Sequence, residues 1–107
     1  MDVFPIDAAL QPPPRTLAVR AGEFEEWIEH TEPGQRVEYH RGYLVIDRAR
    51  GFSPFAEKLR RELDAVADRA LVLAEDGRLL LVQQRHGYGD YSYFAIKPKR
   101  PPGRRSA

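Results

Sequence analysis

Three histidines are the only side chains of this 107-residue chain that ordinarily titrate near neutrality, and there is no cysteine. His40 is followed by Asp47 and His86 by Asp90, pairings that could do general acid–base work if each carboxylate held its imidazole in place. No serine elbow, paired-carboxylate motif or phosphate-binding loop accompanies either pair. His30, His40 and His86 also fall on separate segments, without the i, i+4 or CxxC-type spacing of metal sites. Surface or hydrogen-bonding roles are therefore expected for all three, with no catalysis, metal or cofactor. The lack of cysteine removes disulfides and thiolate nucleophiles and is compatible with a cytoplasmic setting.

The chemistry the residue types do offer is recognition of polyanions. Lys58, Arg60 and Arg61 open a long helical pattern, Gln83, Gln84, Arg85 and His86 lie together further on, and Lys97, Lys99, Arg100, Arg104 and Arg105 fill the C-terminal end. Guanidinium groups fork onto phosphate or guanine, amides pair with adenine, and Tyr88, Tyr91 or Tyr93 could stack on unpaired bases. The formal charge is only +1, so distribution matters more than total. Residues 1–96 hold twelve basic and sixteen acidic groups, which leaves a mildly acidic body and a basic tail. Glu57, Glu62, Asp64 and Asp68 share the helix's polar face, and Glu57 with Arg61 makes an ordinary i, i+4 support. That face also reads as a plain solvated surface.

The elements that must position these groups can be traced by periodicity. Phe24, Trp27 and Ile28 recur at i, i+3, i+4 and predict a short amphipathic helix over 22–31, closed by Glu32-Pro33-Gly34. From Arg36 the alternation of Val37 and Tyr39 with Glu38 and His40, then Tyr43-Leu44-Val45-Ile46, favours one long strand bulged at Gly42, with a hairpin or a strand followed by a short helix over 36–47 left open. Ser53-Pro54, a cap residue followed by proline at the first helical position, predicts a helix start. Phe55, Leu59, Leu63, Val66, Ala70 and Leu73 then form its apolar stripe, and Gly77 its left-handed stop. Leu79 to Val82 and Tyr91 to Ile96 predict a hairpin with a projecting glycine-rich loop, Tyr91 and Tyr93 facing one way and Phe94 and Ile96 the other.

The whole is an α+β chain with one core: a proline-rich arm over 1–20 and a basic Pro/Arg tail over 98–107, both expected to lack order, around a single domain over 21–97. Its apolar runs, Leu79 to Val82 among them, fall far short of a membrane span, and no signal-peptide pattern opens it.

The order short helix, strand, long helix, hairpin resembles winged-helix domains, in which a helix enters the DNA major groove and a hairpin wing touches backbone or minor groove. The phrases GQRVEYHRGYLVIDR and GRLLLVQQRHGYGDYSYFAIKP are similar to short phage and prophage proteins of proteobacteria. The resemblance implies a small nucleic-acid-binding regulator or an inhibitor of a host system. Two readings follow: a non-catalytic regulator binding nucleic acid through helix, hairpin and tail, or an interaction module that docks on a host or phage protein through the aromatic hairpin and acidic body. Dimerisation through the hairpin is compatible with either.

Overall fold

A computed structural model describes residues 16–99 of the chain; the proline-rich segment 1–15 and the tail residues 100–107, expected to lack order, lie outside the described residues. The elements are α1 (Ala21–His30), β1 (Arg36–Gly42), α2 (Leu44–Asp47), α3 (Glu57–Glu75), β2 (Leu80–Gly87) and β3 (Asp90–Ile96). The three strands form one antiparallel sheet in the order β1-β3-β2, so β3 is central and the hairpin carries the rest of the sheet. The α+β class and the order of the main elements are as the sequence predicts.

The stripe of α3 supplies the core. Leu63, Val66, Ala67, Ala70 and Leu73 are buried, and Phe24 from α1, Tyr39, Leu79, Tyr93 and Ala95 join Val66, Ala70 and Leu73 in one cluster. Each fully buried Leu or Val contributes about 1.5–3 kcal/mol relative to an exposed one. Val19 also packs on this cluster, ahead of the expected domain boundary. α3 stops as predicted: Gly77 has φ +79°, its N–H donates to the Ala74 carbonyl at 3.0 Å, and the Arg78 N–H reaches the Leu73 carbonyl at 2.8 Å.

Three expectations are corrected. The strand does not run to Ile46; it ends at Gly42, and Leu44–Asp47 is a turn of helix. The reason is one local bond and one distant one: the Asp47 carboxylate accepts the Tyr43 N–H at 3.0 Å, and the Tyr93 hydroxyl of β3 accepts the Leu44 N–H at 3.0 Å. These bonds satisfy groups that a strand would have left for a neighbour. The bulge is also displaced from Gly42 to Tyr39, since Glu38 pairs with Phe94 and His40 with Tyr93. The extra residue breaks the alternation, so Tyr39 and His40 both point inward.

Second, α3 begins at Glu57 instead of at Ser53-Pro54. The Ser53 hydroxyl accepts the Phe55 N–H at 3.0 Å and makes a turn, and Ala56 stays extended at ψ 151°. Phe55 is buried ahead of the helix, its ring 6.0 Å from that of His40. Third, the hairpin loop is tighter than expected: Gly87 pairs with Asp90 across Tyr88-Gly89, with Gly89 at φ +67° and a register shift between Arg85 and Gly87. The division of faces does hold. Tyr93 and Ala95 are buried on the core side, while Phe94 and Ile96 look outward beside Val82 and Leu80.

Candidate functional site

Between α2 and the hairpin lies a shallow cleft of about 330 Å³, lined by Tyr43, Leu44, Val45, Arg48, Gln83, Tyr91 and Tyr93. Tyr43 stacks on Tyr91 with centroids 6.1 Å apart, and Tyr91 in turn meets Tyr93 at 6.0 Å. Around it the short segment 43–52 leaves large apolar side chains in water: Tyr43, Ile46, Val45 at 61% exposure and Phe52 at 74%. Single exposed apolar residues are commonplace, but these four fall within ten positions beside an aromatic cleft.

Arg48, in the same cleft, is not available to a ligand as a free cation. It reaches both Asp64 and Asp68 of α3. Burial opposes its charge, yet the hydrogen bonds to Asp68 and Asp64 outweigh that cost and hold its pKa above the ordinary value. Beneath the cleft lies a polar cluster: His40 and Asp47 are 2% and 3% exposed, and the His40 ring donates from Nε2 to Asp47 Oδ2 at 2.8 Å. Burial pushes the phenols of Tyr93 and Tyr39 up, so both stay protonated at neutral pH. This buried histidine–carboxylate pair anchors α2 to the end of β1.

The residues proposed for nucleic acid are only partly assembled. Arg60 is 6% exposed, donating to both oxygens of Glu57 at 2.9 and 3.0 Å and to the Arg48 carbonyl at 2.9 Å. Arg61 also bonds Glu57, at 3.1 Å, and Lys58 is exposed. Held by Arg60 and Arg61, the Glu57 carboxyl drops to about 2. On the hairpin Gln83, Gln84, Arg85 and His86 are all exposed along β2. His86 stands 2.7 Å from the Ser92 hydroxyl instead of pairing with Asp90.

Lys97 and Lys99 lie at the other end of the sheet from the hairpin turn. The Lys97 ammonium donates to the Thr31 carbonyl at 3.1 Å, and its backbone exchanges bonds with Gly34 and Gln35. Lys99 crosses Gly34 so closely that a Cβ there would meet its side chain at 3.1 Å. Arg100, Arg104 and Arg105 lie outside the described residues. Residues 16–99 hold thirteen Lys and Arg against fourteen Asp and Glu.

Tyr43, Val45, Ile46 and Phe52 were not among the expected contact residues, because a strand reading of 43–46 buries every second side chain. The signal for the alternative was Asp47, a residue that favours local bonds to the backbone, four positions after Tyr43 and just beyond a glycine. Among the described residues no three His, Asp or Glu side chains converge as metal ligands, and no helix is long and apolar enough to cross a membrane. No protein-family model, curated protein or solved structure matches this chain.

Proposed function

We propose that this chain is a small non-catalytic module that binds a protein partner through the patch formed by α2 and the Tyr43–Tyr91 cleft. One observation carries the reading. The side chains left in water over 43–52 are large and apolar, whereas Arg60 and Arg61 at the start of α3 are bonded to the protein's own Glu57 and, for Arg60, to the Arg48 carbonyl. Apolar and aromatic anchors in a shallow cleft are what protein interfaces use, and a cation already satisfied gains little from a phosphate. The test is capture of a partner by the full-length chain from nuclease-treated bacterial extract, repeated with Val45→Asp. Retention by the wild type and loss by a variant with unchanged circular dichroism supports the reading; retention by the variant ends it.

A second reading keeps the nucleic-acid regulator of phage type, and a specific observation favours it. It is supported by α2, a four-residue helix between β1 and α3, which lies in the stretch where a winged-helix reading looks for an additional helix. Contacts would come from Lys58, Arg61, the exposed Gln83 to His86 run and the basic tail. Mobility shifts at low and moderate salt, with and without residues 98–107, decide it. No shift of the full-length chain at low salt removes this reading.

A further inference from the structure

The sheet has two margins, and only one is guarded. β1 carries the bulge at Tyr39, the charges Arg36, Glu38 and Arg41, and α2 directly after Gly42. Bulges, charges and covering elements are the means by which strand edges avoid being paired. β2 runs eight residues with no proline and one arginine, and its register shift comes only near its end, between Arg85 and Gly87. One side of its backbone bonds to β3; on the other, no backbone group from Leu80 to His86 has a partner among the described residues. Leu80 and Val82, each 43% exposed, stand beside that open side in line with Ile96 and Phe94.

We propose that β2 pairs with β2 of a second copy of this chain, antiparallel across a two-fold axis normal to the sheet, to make one sheet of six strands. Such an axis keeps the outer face of one copy continuous with that of the other. Directly opposed side chains must share a face, so opposed positions differ by an even number. The register that uses the strand from Leu80 to His86 in full puts Gln83 opposite Gln83 of the second copy. It sets Val82 opposite Gln84, Leu81 opposite Arg85 and Leu80 opposite His86. No like charges meet, two amides face each other at the axis, and the stems of Arg85 and His86 cover leucines. Thirteen basic against fourteen acidic groups over 16–99 give a body charge of −1, which raises no long-range barrier to self-association.

The experiment uses the full chain. Light scattering after size exclusion is expected to give a mass of twice 12.3 kDa at high protein concentration, falling toward 12.3 kDa on dilution. Amides of Leu80 to His86 should exchange more slowly in the concentrated sample. Val82→Lys, at an exposed position, should shift the mass to the monomer with the circular dichroism intact, while Glu38→Lys on the guarded margin should not. Because the chain has no cysteine of its own, Gln83→Cys should oxidise to a covalent dimer, the opposed Cα atoms of an antiparallel pair lying within about 4.5–5.5 Å of one another. A monomeric mass at every concentration overturns the proposal. So does a dimer that survives Val82→Lys and fails to cross-link through Gln83→Cys. Gln83 also lines the Tyr43–Tyr91 cleft, whereas Val82 and Glu38 are not part of its lining, so the masses of Val82→Lys and Glu38→Lys are the readouts that separate this proposal from the α2 patch, whose own probe is Val45→Asp.

Discussion

His40 and Asp47 meet at 2.8 Å inside the protein, whereas Asp90, at the hairpin turn, accepts both Arg41 bonds at 2.7 and 3.0 Å on the surface and the ring of His86 lies 2.7 Å from the Ser92 hydroxyl. Both histidines are followed within a few residues by an aspartate, so separation along the chain does not distinguish them. What differs is the backbone between. A bulge turns His40 inward, Gly42 at φ +138° reverses the chain, and α2 brings Asp47 back over it. Across the hairpin the turn is tight and solvated, Ser92 takes His86, and Arg41 of the neighbouring strand takes Asp90. A dyad is made by the path of the chain and by exclusion of water, and the same two residue types without these are two separate surface contacts.

The sharpest way to break this contrast is Asp47→Ala. It removes the carboxylate that meets His40 Nε2 at 2.8 Å and accepts the Tyr43 N–H, so α2 loses this tie to β1. The expected loss is about 3–5 kcal/mol of unfolding free energy, the usual result of removing one member of a buried pair. Urea titration monitored by Trp27 fluorescence measures it. A change under about 1 kcal/mol would mean that the cluster contributes nothing beyond filling space.

Gly42→Ala attacks the same cluster through the backbone. A Cβ at this position would stand 2.5 Å from Asp47 Oδ2 and 3.3 Å from His40 Nε2, and the φ of +138° is one that alanine rarely adopts. The conformational strain alone costs about 1–3 kcal/mol. Because the clash is with Asp47 itself, the double variant Gly42→Ala, Asp47→Ala should lose less than the sum of the two single losses, measured in the same titration. Strict additivity would place the cost of Gly42→Ala in the φ alone and not in the packing of the dyad.

This pair of variants also shows where the sequence is readable. The periodic parts, α1, the buried stripe of α3, its stop at Gly77 and the two faces of β3, follow from spacing because each is decided by which side of an element meets the core. Tyr39 to Asp47 is decided otherwise. There one extra residue in β1 reverses the side on which His40 lies, and a carboxylate bond to Tyr43 N–H chooses helix over strand for residues whose types favour a strand. Ser53-Pro54 misleads for a related reason, since its hydroxyl closes a turn before the helix begins. The exposed patch over 43–52 inherits that difficulty: it is visible only once α2 is known to exist. The buried Arg60 was hidden too, because its partner is a backbone carbonyl of Arg48, twelve residues away.

Glu57 is intermediate between the two dyads: a carboxylate in contact with solvent yet held by two guanidinium groups. Bonding to Arg60 and Arg61 lowers it from 4.5 to about 2. The unfolded chain therefore binds more protons than the folded one between these values, and stability rises with pH across that window. The contribution is complete above about pH 4.5 and is lost as pH falls toward about 2. Thermal unfolding midpoints from pH 2 to 6 should climb through this range in the wild type and climb less steeply in Glu57→Gln. Identical slopes would show that the contacts with Arg60 and Arg61 do not persist in solution.

Asp90→Asn is expected to do least, and it is the control that gives the buried pair its meaning. Hydrogen bonding to Arg41 lowers the Asp90 carboxyl and raises the Arg41 guanidinium, but both side chains stand about half in water, at 44% and 53% exposure. An exposed pair loses most of its attraction to solvent and salt and must hold two side chains in place to keep the rest. The unfolding midpoint of Asp90→Asn should match that of the wild type in high salt and differ little in low salt. Its two strands are already joined by the β1–β3 register from Arg36 to Gly42, so the fork between Arg41 and Asp90 adds orientation to an edge the backbone holds. A loss comparable to that of Asp47→Ala would mean that the hairpin turn, and not the buried cluster, governs how the end of β1 is fixed.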